Sequence, residues 1–264
     1  MPPEVRLRPT IDRAWLDQLA AQQPSLHAFS VWDLDRYPTR VQFVSALVAE
    51  RPVGYLLIWL GDPRTPIVHW FGESEEARAL ADALPARPFG LVVPESVRDF
   101  AEPRLTPVEV VPMRLLEVPR EASVAEVPRD PEVRKLTGAD RPRLIALTEP
   151  SHDFAASRYA SADPDHEPIW GYFEEGRLVG VARTSVQLPS VWILTGVYVA
   201  PASRSRGYGL AIVRAALEEG HRAGATVALY VREDRPAARA VYAKAGFQER
   251  ARRVWLGAGT TLDA

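Results

Sequence analysis

Two hydrophobic periods alternate along the second half of the chain. Apolar residues alternate or run continuously at about 169–174, 178–187 and 190–199, as strands do, and a Glu174-Glu-Gly176 turn joins the first two. The period then changes. Leu210, Val213, Ala216 and Leu217 recur at spacings of three and four, which predicts a helix over about 206–223 with Gly224 ending it. A short apolar strand at 225–231, a helix from about Pro236 to 245 and a last strand near 248–256 follow. Upstream, a helix is expected over about 139–147, with Thr137 or Asp140 able to cap it. A second is expected near Asp153–Tyr159, before the turn Ala162-Asp-Pro-Asp-His-Glu-Pro168.

The first half echoes this pattern. Glu50-Arg-Pro-Val-Gly-Tyr-Leu-Leu-Ile-Trp59 turns into Pro66-Ile-Val-His-Trp-Phe71, as Glu175-Gly-Arg-Leu-Val-Gly-Val-Ala-Arg183 turns into Val191-Trp-Ile-Leu-Thr-Gly-Val197. In each, a Val-Gly strand leads to a second strand that precedes a helix. Gly54 and Gly180 lie 126 positions apart, close to half of the 264 residues. The proline- and charge-rich segment 118–132 has neither period and reads as a linker. The expectation is two domains of related topology from a duplication, 1–117 and 133–264. Chance resemblance between two α/β segments is the alternative.

The most informative chemistry sits between the third strand and the main helix. Arg204-Ser-Arg-Gly-Tyr-Gly209 is a basic, glycine-containing turn that opens a helix. Backbone N–H groups of a first helical turn converge there, and the helix dipole adds partial positive charge. Gly207 and Gly209 lack Cβ atoms and let an anion approach the backbone. Arg204 and Arg206 can add charge-assisted hydrogen bonds to phosphate oxygens. An ordinary solvated basic turn is the other reading. The matching position in the first half is Gly72-Glu-Ser-Glu-Glu-Ala-Arg78, whose acidic side chains would repel a diphosphate. The first half is therefore not expected to bind such a ligand.

Arg-x-x-Gly-x-Gly at 204–209, followed after a strand and a charged turn by Tyr242-Ala-Lys-Ala-Gly-Phe247, resembles the GNAT superfamily of N-acetyltransferases. Within it the chain looks most like the branch typified by the C-terminal, FR47-like domain of glycine N-acyltransferases. The resemblance is strong over about 168–256 and weaker back to about 130. It implies a mixed α/β fold, a mixed sheet flanked by helices, in a tandem arrangement whose first half is degenerate. It also implies acetyl-CoA, or another acyl-CoA, as cosubstrate. In such proteins the strand before the phosphate turn and the strand after the helix splay apart, and the pantetheine arm lies in the gap. Here that edge is Val197-Tyr198-Val199, opposite Leu229-Tyr230-Val231. Cofactor contacts are expected from these three residues and from Arg204, Ser205, Arg206, Gly207, Tyr208, Gly209 and Leu210. Tyr242 matches the family's general acid, although a tyrosine packed on the sheet is the structural alternative. One departure is that Asp234-Arg235 stands where many members carry an asparagine.

The implied activity is transfer of an acetyl group to a primary amine of a small or amino-acid-like acceptor. A non-catalytic acyl-CoA-binding module is the competing reading, and acylation of protein amines differs only in the acceptor. Composition narrows the remaining choices. The chain is 47% hydrophobic and 25% charged with a formal charge of −2, which gives no signature for nucleic acid. It contains no cysteine, so disulfides, thiolate metal sites and a cysteine nucleophile are excluded. Apolar runs such as Val53–Leu60 are too short to span a bilayer. Met1-Pro-Pro-Glu shows no signal architecture, so a cytoplasmic location is expected. His152, His166 and Glu167 are loop residues, Glu174 and Glu175 read as hairpin-turn residues, and the Asp163–Glu167 cluster matches no trusted metal pattern. No metal site is expected. Trp32, Trp59 and Trp70 are expected to be packing aromatics. A chain that already pairs two related domains is expected to be a monomer or a weak homodimer.

Overall fold

A computed structural model describes residues 4–61, 66–85, 89–105, 108–122, 130–151, 154–157, 159–160 and 162–258. Its strands are β1 (Val5–Arg8), β2 (Val41–Val48), β3 (Arg51–Trp59), β4 (Ile67–Phe71), β5 (Gly90–Pro94), β6 (Val108–Val118), β7 (Val133–Lys135), β8 (Ile169–Glu174), β9 (Arg177–Gln187), β10 (Val191–Val199), β11 (Thr226–Arg232) and β12 (Gln248–Ala258). Its helices are α1 (Arg13–Gln22), α2 (Pro24–Arg36), α3 (Arg98–Ala101), α4 (Arg141–Thr148), α5 (Phe154–Ser157), α6 (Tyr208–Arg222) and α7 (Pro236–Lys244). The chain forms two compact units. The first comprises Met1–Leu115, Arg232–Asp234 and Ala251–Ala264, the second Leu116–Val231 and Arg235–Arg250.

The second unit follows the expected element order closely. β7, β8, β9 and β10 pair antiparallel in sequence, and β11 joins β10 in parallel. The chain must cross over to make a parallel pair, and α6 is that crossover. One face of α6 is apolar: Ile212, Val213, Ala216 and Leu217 are buried, while Leu210 is half-buried. With Trp170, Leu194, Val227, Leu229 and Tyr242 they form one core. Burying such a side chain is worth roughly 1.5–3 kcal/mol, so packing rather than helix propensity holds α6 in place. Gly224, at φ +78, ends the helix as expected. The helix near 139–147 is present as a short 3-10 turn, Gly138–Asp140, leading into α4. Thr137 and Asp140 close a reciprocal capping box at its start. Asp140 also receives Arg134 through two hydrogen bonds of 2.7 Å, and these hold its carboxyl far below the usual range. The second expected helix is observed only as α5; Asp153 lies outside the described residues.

The first unit repeats the order. β2, β3 and β4 pair antiparallel, and β5 joins β4 in parallel. The repeat differs where the sequence differs. After β4 comes a run of 3-10 turns, Glu76–Ala83, where the second unit has a full α-helix. From Ala251 onward the last strand belongs to the first unit. Residues Arg253–Gly257 of β12 pair with Gly90–Pro94 of β5, so the end of the chain completes the first unit's sheet. Val254 and Leu256 enter that unit's core beside Trp70 and Leu91. An antiparallel strand takes any free sheet edge with the right apolar face, irrespective of its distance along the chain. β6 is a strand that the periodicity does not announce. Among the described residues no helix is long and apolar enough to cross a membrane.

Candidate functional site

The site is built where β10 and β11 part. Their parallel pairing covers only Val191↔Thr226, Trp192↔Val227 and Ile193↔Ala228, although β10 continues to Val199 and β11 to Arg232. From Leu194 onward the β11-facing edge of β10 makes no further ladder pair. Backbone groups of such an edge require another partner. On its other side β10 pairs with β9, with a register shift between Thr195 and Tyr198. Gly196, at φ +61, lies in that bulge. The Tyr159 hydroxyl donates to the Gly196 carbonyl at 2.7 Å and fixes the bulge. Bulges bend a strand and raise its twist, which helps to aim the Val197–Val199 stretch away from β11.

The turn after β10 has the geometry of an anion cradle. Gly207 caps α6 in the left-handed region, φ +88, without a side-chain hydrogen bond to the first turn. A Cβ built on Gly207 would meet nothing within 4 Å, so the turn is open on that side. The first-turn N–H groups of α6 point outward from an uncapped helix start. Ser205 is also left-handed, φ +63, an uncommon conformation outside glycine. The two arginines of the turn are engaged differently. Arg204 Nε donates to the Val199 carbonyl at 3.0 Å, and its guanidinium lies over the Tyr198 ring. Arg206 pairs with Glu174 and stacks over Tyr208. The Tyr208 hydroxyl donates to the other face of this arrangement, to Glu174 Oε1 at 2.7 Å, and its ring stacks on Tyr172 at 4.0 Å. These bonds hold the Glu174 carboxyl below its ordinary range, the Tyr208 hydrogen bond first and the Arg206 charge after it. Glu174 is thus a brace of the turn rather than a bare hairpin residue. Burial, followed by the Asp130 charge, pushes the Tyr172 phenol up to about 12. Gly209 approaches Val199, and Leu210 packs on the unit's core.

Tyr242 is placed by α7, whose proline at the first turn starts a helix at no cost in hydrogen bonds. The tyrosine is buried in the same core as Leu229 and Val231, against which Val197, Tyr208 and Leu210 also pack. Its ring meets Phe247 edge-on at 5.9 Å. Burial raises its phenol above the ordinary value, so it is protonated at neutral pH. The same cause raises Tyr159, which also feels Arg183, Glu167 and Tyr242. Arg183 and Glu167 form an ion pair at 3.0 Å, and Glu167 Oε1 accepts from the Asp163 N–H. Tyr159 and Arg183 were not marked by any motif. A lone tyrosine after a short helix and an arginine inside a strand carry no local signal.

The other candidates fall outside this site or lie in turns. His152 is outside the described residues. His166 bonds Asp163 within the turn at 2.9 Å, and Asp165 accepts from the Gly138 N–H, which ties the turn to the start of the 3-10 turn before α4. Among the described residues no group of acidic and histidine side chains could hold a metal. Asp234 is taken up by Arg232. Trp70 is buried and donates to the Gly72 carbonyl, while Trp59 packs edge-on against Tyr37.

An acyl-CoA fits these residues on two observations. An unpaired strand edge is available to amides, and an uncapped, glycine-led helix start is available to a diphosphate. Residues 133–247 match the acetyltransferase (GNAT) family. No match is found among curated proteins. Three solved structures show the same fold. A putative GNAT acetyltransferase from Novosphingobium aromaticivorans is 24% identical over 78% of this chain and 89% of its own, with a TM-score of 0.56. A GCN5-related N-acetyltransferase from Sphaerobacter thermophilus is 16% identical over 97% and 96%, with a TM-score of 0.62. A tandem GNAT protein from the clavulanic acid biosynthesis pathway is 19% identical over 98% and 100%, with a TM-score of 0.58. None of these likenesses singles out the glycine N-acyltransferase branch. Residues 133–247 thus match the acetyltransferase (GNAT) family, and the chain is similar in fold to a tandem GNAT protein.

Proposed function

We propose that the region after residue 133 is an N-acetyltransferase that moves an acetyl group from acetyl-CoA to the primary amine of a small or amino-acid-like acceptor. The observation that carries this reading is the early parting of β10 and β11 beside the uncapped start of α6. Acetyl-CoA supplies an activated thioester. The chain's residues do the rest. N–H groups of Tyr208, Gly209 and Leu210, with Arg204, Ser205, Arg206 and Gly207 around them, hold the diphosphate. The edge Val197-Tyr198-Val199 takes the amides of the pantetheine arm, and one of its N–H groups stabilises negative charge on the attacked carbonyl oxygen. Tyr242 donates its hydroxyl hydrogen at the departing sulfur. Its elevated pKa keeps that hydrogen present, and hydrogen bonding alone stabilises a leaving thiolate. The acceptor amine enters neutral, and its nitrogen bonds to the thioester carbon as the carbon–sulfur bond breaks. The sulfur leaves as thiolate, and the proton lost from nitrogen passes to solvent. The first unit, with Glu73, Glu75 and Glu76 where the phosphate turn would be, takes no acyl-CoA.

The test is thiol release from acetyl-CoA over a panel of amines, with wild type and Tyr242→Phe. Turnover that falls tenfold or more in the variant while acetyl-CoA binding survives supports catalysis. Binding without any amine-dependent thiol release, unchanged by Tyr242→Phe, would leave the non-catalytic binding module as the correct reading.

A further inference from the structure

The first unit buries a cation whose Nη1 meets no hydrogen-bond partner among the described residues. It is Arg253 on β12, which is 6% exposed. Its guanidinium lies 5.8 Å from the ring centroid of Phe71. Phe71 in turn stacks on Tyr55 at 4.5 Å and meets His27 at 5.0 Å and His69 at 6.4 Å. Both imidazoles are neutral: burial first, and the Arg253 charge second, lower each to about 4. The Tyr55 hydroxyl donates to Ser30 Oγ at 2.9 Å and therefore accepts from His27 Nδ1 at 2.7 Å. Among the described residues this leaves the buried Arg253 charge beside aromatic rings without an ion-pair partner, an arrangement that is expensive unless an anion completes it.

The place is also open in the backbone. Parallel pairing of β4 with β5 stops at His69↔Val92. Phe71 lies two positions beyond, and Arg253 pairs with Pro94, two positions beyond on the other strand. The first unit thus keeps the parted strands of its relative while its acidic turn discourages a diphosphate. A guanidinium fork matches a carboxylate bidentately. One cation with neutral imidazoles suits a monoanion better than a phosphate dianion, and the rings favour a ligand with an apolar body.

We propose that the first unit binds a small monocarboxylate with an apolar body, held by Arg253 against Phe71, Tyr55 and His69. This is independent of acyl transfer in the second unit. The probe is benzoate, with benzamide and sodium chloride at matched ionic strength as controls. Benzoate titrated into the full chain should bind saturably by calorimetry. It should raise the melting temperature by about 3–5 °C at a tenfold excess over Kd. Arg253→Met, which keeps the volume, and Arg253→Lys, which keeps the charge but loses the fork, should each weaken binding tenfold or more. Should Arg253→Met not fold, Arg253→Lys decides. Benzoate acting no better than benzamide or chloride on wild type overturns the proposal, as does undiminished binding by either folded variant.

Discussion

Placing a carboxylate on the turn 204–209, proposed to hold a diphosphate, separates its charge from its shape. Gly207 sits at φ +88 with open space where a Cβ would stand, so a side chain there strains the backbone without striking a neighbour. The left-handed conformation costs a non-glycine residue roughly 1–2 kcal/mol. For a chain of this size that lowers the melting temperature by about 2–8 °C, and it applies equally to Gly207→Ala and Gly207→Glu. Only the second adds charge. A carboxylate about 5 Å from a phosphate charge, at an effective dielectric constant of about 20, is repelled by about 3 kcal/mol. That corresponds to a Kd for acetyl-CoA raised about a hundredfold in Gly207→Glu, with a change of about threefold or less in Gly207→Ala. Calorimetric titration of both variants at low ionic strength reads the difference directly. Equal affinities in the two variants, with both folded, would show that no phosphate charge lies near the start of α6, and the anion cradle would have to be abandoned.

Other residues give independent checks. Tyr159→Phe leaves the part-buried Gly196 carbonyl without its 2.7 Å donor and should cost about 1–3 kcal/mol, read as a lower melting temperature; an unchanged melting temperature would mean the bulge does not depend on that bond. Glu174→Gln removes a negative charge from the turn and loosens its hold on Arg206, so acetyl-CoA should bind about threefold to tenfold more tightly. Weaker binding would show that the ion pair shapes the cradle more than it opposes the anion. Asp33 is buried on α2, and desolvation raises its carboxyl to about 7. A raised pKa favours the folded state below about pH 4, and that contribution is lost as pH rises toward 7. Asp33→Asn should therefore gain stability over wild type progressively between about pH 4 and 7, and a gain independent of pH in thermal melts would refute the assignment.

Much of the second unit could be read in advance because its signals are local. The strands from 169 to 199, α6 and α7 each announce themselves through a period of about two or three to four and a glycine or proline boundary. Gly207 was singled out for its conformational freedom, and it adopts the left-handed cap that needs it. Tyr242 was named from its motif, and only its burial and raised pKa came from the fold. Glu174 was read as a turn residue because its partners, Tyr208 and Arg206, stand more than thirty positions away. Tyr159 escaped for the same reason, its partner Gly196 lying thirty-seven positions away, and Arg183, inside a strand, carries no local signal. In the first unit the acidic turn was legible, but the 3-10 run that replaces the helix was not.

The sequence by itself determined the element order of the second unit and the glycine-led start of its main helix. Periodicity, glycine placement and charge are properties of neighbouring residues, and neighbours impose them before any packing occurs. The tertiary structure alone decided where pairing ends and which distant groups meet. It set the last β10–β11 pair at Ile193, brought Glu174 to Arg206 in the glycine turn, and laid Arg253–Gly257 beside β5 with an arginine buried against Phe71. Strand pairing and ion pairing depend on spatial approach, and a chain can bring any two of its segments together once the core rewards it.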